Sequence, residues 1–180
     1  MNQPDMETLR FPTGRYQMPE TVSDAEIAAH IEAIRVAPAA LRRAVDGLDD
    51  SQLDTPYRPD GWTVRQVVHH VPDSHGNALV RFRWALTEDH PRIKAYNEGA
   101  WAELPDGKSA PIAASLDLLD AIHGRWMLLL PALGPAEWAR TFEHPEGDVV
   151  FRLDQTLALY AWHGRHHVAH VTALRERMGW

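Results

Sequence analysis

The chain contains no cysteine. That excludes a disulfide framework, a Cys-ligated zinc and a thiol nucleophile. Any metal site must therefore draw on His, Asp, Glu, carbonyl or water ligands, and the absence of Cys suits a cytoplasmic protein. Long apolar runs are also missing. The longest, Trp126 to Leu133, is far too short to span a bilayer. Met1 to Arg10 is polar and acidic, without the basic start and apolar stretch of a signal peptide. Nor is there an excess of positive charge. Lys and Arg number 18 against 25 Asp and Glu, a net charge of −7, and the two signs are interspersed. This argues against a phosphate-binding surface, and so against nucleic acid or a membrane as partner. Gly-x-Ser-x-Gly, phosphate-loop and dinucleotide fingerprints do not occur.

With 180 residues, the chain is long enough for one domain with a real core. Residues 1–22 carry Pro4, Pro12, Gly14 and Pro19 and no helical period, which predicts an extended N-terminal arm; residues 23–180 then form a single domain. Ser23 and Glu26 make a capping-box pattern that opens a helix through about Leu48, with a kink or short break at Pro38. Thr63 and Gln66 open a second helix, running to about Thr87 and bent near Pro72. Residues 88–108 read as irregular. Ser109 and Pro111 open a third helix whose apolar stripe includes Leu116, Leu119, Ile122, Trp126 and Leu130. A turn at Pro145–Asp148 separates short extended pieces near Thr141 and Val149, and a last helix runs from about Asp154 to Met178. Four amphipathic helices with long connections specify an all-α bundle. Seven Trp supply large core side chains, some of which could line a pocket.

Histidine is the abundant chemical resource, at 11 residues. Four of them, His163, His166, His167 and His170, crowd one segment of the last helix. At about 100° per residue, His163, His167 and His170 share an arc with Thr156, Leu159, Tyr160 and Leu174, which reads as a buried face. Residues His163 and His167, one turn apart, have the spacing that lets one helix give two nitrogens to a metal. A second cluster, His69, His70 and His75, lies on the second helix, where His70 shares a polar stripe with Ser74, Asn77 and Arg81. His69 and His166 fall to the side of these faces. A lone histidine on such a face is more often a hydrogen-bonded core residue than a ligand. Several imidazoles buried without partners cost about 1–3 kcal/mol each, a cost that a shared metal removes. Both readings stand on the residues alone. Gly164-Arg165-His166 occupies the interval between His163 and His167, so the His-Glu-x-x-His signature of zincin proteases is absent.

Two stretches carry a wider resemblance. Gly61-Trp62-Thr63-Val64-Arg65-Gln66-Val67-Val68-His69-His70-Val71, followed by Asp73-Ser74-His75, resembles the first metal motif of the DinB-like superfamily in its YfiT-like branch. Leu159 to His170 resembles the second. The likeness continues in colinear order through Asp50 to Arg58, His123-Gly124-Arg125-Trp126 and Arg177 to Trp180, nearly the whole chain. It implies a four-helix bundle holding a divalent metal on three histidines: His70, which precedes the aliphatic Val71, with His163 and His167. It implies a homodimeric, cytoplasmic, metal-dependent hydrolase, with related members transferring low-molecular-weight thiols such as bacillithiol or mycothiol to electrophiles.

Three imidazoles leave coordination positions open, as a catalytic site requires. Zinc is the expected ion, with nickel and iron as alternatives, and a small molecule is the expected substrate. With no cysteine in the chain, a transferred thiol would come from a cosubstrate. Asp73, one turn after His70, is the candidate for a base or an orienting group, and Asn77, Arg81 and Tyr160 are the candidates for lining the substrate site. A non-catalytic metal protein would instead close its site with a fourth ligand such as His166 or Asp73.

Overall fold

The computed structural model describes residues 5–180; residues 1–4 of the expected arm lie outside them. The arm is not extended throughout. Asp5 accepts a hydrogen bond from the Thr8 amide and so caps a short helix, α1 (Met6–Arg10). Two of the four long helices open where the capping patterns place them. Helix α2 (Asp24–Val45) opens on the reciprocal Ser23/Glu26 box. After the short α3 (Asp50–Leu53), α4 (Val64–Thr87) opens on the reciprocal Thr63/Gln66 box. Pro38 does not break α2, and α4 runs on through Pro72 to Thr87 as expected: both prolines lie inside continuous helices.

The span expected to be irregular folds two short helices, α5 (Glu98–Ala102) and α6 (Pro105–Lys108). Ser109 closes α6 rather than opening the next helix. Its amide and hydroxyl both donate to the Pro105 carbonyl, and α7 (Ala113–Leu129) is capped at Ile112, three residues later than the Ser-x-Pro pattern predicts. A 3-10 turn (Leu130–Ala132) and α8 (Pro135–Trp138) lead into an antiparallel hairpin, β1 (Thr141–His144) and β2 (Val149–Arg152). Its tip needs left-handed backbone, which Gly147 supplies with φ of 79°. Helix α9 (Leu153–Met178) ends on Gly179 in the left-handed conformation that terminates helices.

Helix α2 packs against α7 and α9, and α4 packs against the same two, so α2 and α4 stand at opposite corners of the bundle. Two apolar clusters fill it. One gathers Ile34, Phe82, Trp126, Leu130 and Leu157; the other gathers Leu41, Val67, Leu119, Val171 and Leu174. Fully burying each of these side chains stabilises the fold by about 1.5–3 kcal/mol. Between the clusters each long helix changes character: Pro38 on α2, His75 on α4, His123 on α7 and His163 on α9 fall in the gap. A polar layer thus crosses the middle of an otherwise apolar bundle. Gly164 lets the helices close around it, since a Cβ there would lie 3.3 Å from Cβ of Ala37 and 3.7 Å from the His75 ring.

Candidate metal centre

Because α4 packs along α9, one residue of α4 meets two of α9. Nε2 of His70 lies 3.2 Å from Nε2 of His163, and Nε2 of His167 lies 3.2 Å from the same nitrogen. One nitrogen from each of the three rings falls within 4.8 Å of the other two. Zinc–imidazole bonds of about 2.0–2.1 Å at a tetrahedral angle place their nitrogens about 3.3 Å apart. Both edges that meet at His163 therefore match the spacing of imidazoles around a zinc ion. His170 lies nearby but approaches the other nitrogen of His167, and no fourth protein ligand joins the group among the described residues.

Burial keeps these rings neutral. Loss of solvent pushes His70 down to about 4. His163 and His167 lie well below the ordinary histidine range for the same reason first, with the neighbouring imidazoles adding to it. Neutral rings have lone pairs to give, which is the state a metal requires. Three ring nitrogens converging in one buried place are a polar arrangement that a cation satisfies.

The three rings form the floor of a pocket of about 380 Å³. Its apolar wall includes Trp62, whose ring is tilted over His70 at 4.7 Å, together with Phe142 and Phe151 of the hairpin. Charged groups stand at the side: Arg81, Glu98 and Glu146. Arg81 Nη1 donates to the Tyr160 hydroxyl at 3.2 Å, while its buried Nε has no partner.

Of the residues singled out from the sequence, His70, His163, His167, Arg81 and Tyr160 all line this pocket. Asp73 and Asn77 do not. Asp73 lies about 60° around α4 from His70, on the other side from Ser74 and the pocket. There burial, with Asp106 nearby, raises its pKa to about 6. Asn77 turns its amide back to the Asp73 carbonyl of its own helix, 2.9 Å away. The expected roles of Asp73 as base and Asn77 as lining residue therefore find no geometric support.

His69 is a hydrogen-bonded structural residue, sharing its two nitrogens between Ser115 Oγ and the Ala110 carbonyl. His166 stacks on Trp162 at 4.3 Å. Ser74, Glu98, His144 and Glu146 also stand in the pocket wall without having been candidates for it. Ser74 alone had a local signal, one turn after His70. The others arrive from connections whose path no helical period fixes.

The chain is similar throughout to proteins already known. Residues 33–171 match the model of the DinB superfamily. A Bacillus mycoides protein named "Putative metal-dependent hydrolase" is 51% identical over 97% of this chain and 100% of its own length. "Putative metal-dependent hydrolase YfiT" of Bacillus subtilis is 48% identical over 96% of this chain and 97% of its own. The solved structure of that Bacillus subtilis protein, described as "a probable metal-dependent hydrolase with an unusual four-helix bundle topology", superposes with a TM-score of 0.94 at 47% identity, covering 96% of this chain and 99% of the other.

Proposed function

The chain belongs to the DinB superfamily, and from that premise we propose that it is a metal-dependent hydrolase whose divalent ion, zinc first among candidates, is held by His70, His163 and His167. The observation that carries this reading is the convergence of three neutral imidazole nitrogens on the floor of a pocket. A structural metal would call for a fourth protein ligand.

A divalent ion held there supplies Lewis acidity, ionising water near neutral pH and polarising a carbonyl or similar centre. The chain's own residues do the rest. The hairpin and Trp62 wall the pocket with apolar surface, which reduces the water around a bound substrate and strengthens polar interactions within it. Arg81 is fixed by its bond to Tyr160 and lines the pocket, where its guanidinium is suited to hold a carbonyl or anionic group of the substrate. On family grounds we further propose a cytoplasmic homodimer acting on a small molecule; light scattering giving the mass of one chain in solution would remove the dimer.

The reading is tested by loading the purified protein with zinc, nickel or iron and assaying ester, amide and lactone substrates. The expected result is turnover that needs the metal and disappears in His163→Ala. Turnover only when a low-molecular-weight thiol and an electrophile are supplied together would replace hydrolysis with thiol transfer.

A further inference from the structure

Behind the three-histidine cluster, four groups stand in line across all four long helices. His163 Nδ1 on α9 lies 3.1 Å from Nε2 of His75 on α4. Nδ1 of His75 lies 2.8 Å from Nε2 of His123 on α7. Nδ1 of His123 lies 2.7 Å from the carbonyl oxygen of Ile34 on α2. The last atom has no helical partner because the residue four positions on is Pro38, which has no N–H.

The Ile34 oxygen can only accept, so the direction of every bond follows from it. The proton of His123 is on Nδ1, and its Nε2 is an acceptor. His75 must then donate from Nδ1 and accept at Nε2, and His163 must donate from Nδ1. That leaves His163 Nε2 bare and aimed at His70 and His167. With the opposite tautomer, the Nε2 proton of His163 would point into the cluster and block it. A shorter chain runs from the N-terminal arm: the Arg10 carbonyl lies 3.1 Å from His170 Nε2, and His170 Nδ1 lies 3.4 Å from His167 Nδ1. By the same logic it leaves His167 Nε2 bare.

We propose that His75 and His123 are positioning residues of the metal site: the chain Ile34 carbonyl–His123–His75–His163, opened by the proline at 38, fixes the Nδ1–H tautomer of His163 and presents its Nε2 to the metal. A hydrogen bond to the far nitrogen of a metal-bound imidazole orients the ring and raises its basicity. Carboxylates, carbonyls and water are the common acceptors there; here the acceptor is another imidazole, itself held by a third. The arrangement suits this location. His75 and His123 lie in the buried layer between two apolar clusters, where a carboxylate would require its own charge partner and a neutral ring does not. The assignment rests on the proposed metal site only for its purpose; the tautomers are a property of the chain itself.

The test is a long-range proton–nitrogen correlation spectrum of the full-length protein, metal-free, at pH 7.5. The expected result is Nδ1–H for His75, His123 and His163, the opposite of the Nε2–H form that free histidine side chains favour. Nε2–H at His75 or His163 would overturn the proposal whatever the protein does with metal. In His123→Phe, which keeps a ring in the gap but removes both nitrogens, the Nδ1–H form of His163 should lose population, and zinc affinity measured by chelator competition should fall about 10-fold or more. A folded His123→Phe protein with the tautomer of His163 and the zinc affinity both unchanged would leave His123 a packing residue. If that variant does not fold, the spectrum of the native protein decides. Failure of the native protein to bind any metal, with the three tautomers as assigned, would sink the metal site and leave the chain standing.

Discussion

The Ile34 carbonyl and His123 Nδ1 lie 2.7 Å apart, where Pro38 leaves that carbonyl without a backbone donor. A side chain of α7 thus completes the hydrogen bonding of α2, in a part of the bundle where His123 is 2% exposed.

The two positions should therefore be energetically coupled. His123→Phe leaves the Ile34 carbonyl buried and unpaired, a loss of about 1–3 kcal/mol. Pro38→Ala supplies a new N–H four residues on, so the same His123→Phe change should cost less when combined with Pro38→Ala. Urea denaturation of the two single variants and the double variant should give a coupling of about 1–2 kcal/mol. Strict additivity would mean that His123 does not satisfy this carbonyl.

Stability of the metal-free protein should fall on the acid side. Burial pushes His123 in the folded protein down to about 4, against an ordinary value of 6.5. Below pH 6.5 the unfolded chain takes up a proton that the folded chain refuses. Stability is thus flat above that pH and declines from 6.5 towards 4. His123 alone accounts for a loss of about 2 kcal/mol between pH 7 and pH 5, and His170, also pushed down to about 4, acts in the same sense. Denaturation midpoints at the two pH values would show it, and the decline should be shallower in His123→Phe. An equal slope in both proteins would contradict the burial argument.

Asp73 should be dispensable to catalysis. It lies off the pocket, so Asp73→Asn should change kcat/KM by less than about 1 kcal/mol in transition-state free energy, whereas His163→Ala should abolish turnover. A loss in Asp73→Asn comparable to that in His163→Ala would restore Asp73 as a base.

Gly164 sits where α9 meets α2 beside the His75 ring. Ala37 leaves a gap only for hydrogen, and the branched side chain of Gly164→Val would meet both it and the ring. Overpacking of this kind costs about 1–3 kcal/mol. Thermal unfolding should show a lowered Tm for Gly164→Val, and an unchanged one would mean the helices part easily there.

How far the sequence foretold this architecture depends on how local each signal was. Ser23/Glu26 and Thr63/Gln66 each marked a helix start, because a capping box satisfies amides within four residues of itself. His163 and His167 were readable as a pair because a helix repeats within their spacing. Ser109 misled, because its hydroxyl had a carbonyl behind it, at Pro105, as well as a helix ahead. Asp73 misled because adjacency along α4 is not adjacency in space. His75 and His123 were visible as histidines, but their roles were not. Those roles depend on which corner each helix occupies, and on the carbonyl that Pro38 frees, whose new donor lies 89 positions away in the chain.

Everything proposed for the pocket depends on His70, His163 and His167 together holding one divalent ion. The most direct test is elemental analysis of the purified full-length protein after zinc loading and gel filtration, beside His70→Ala and His163→Ala. One ion per chain is expected in the native protein, with loss of most of it in both variants and helical circular dichroism retained. Equal metal in all three proteins would contradict the three-histidine site.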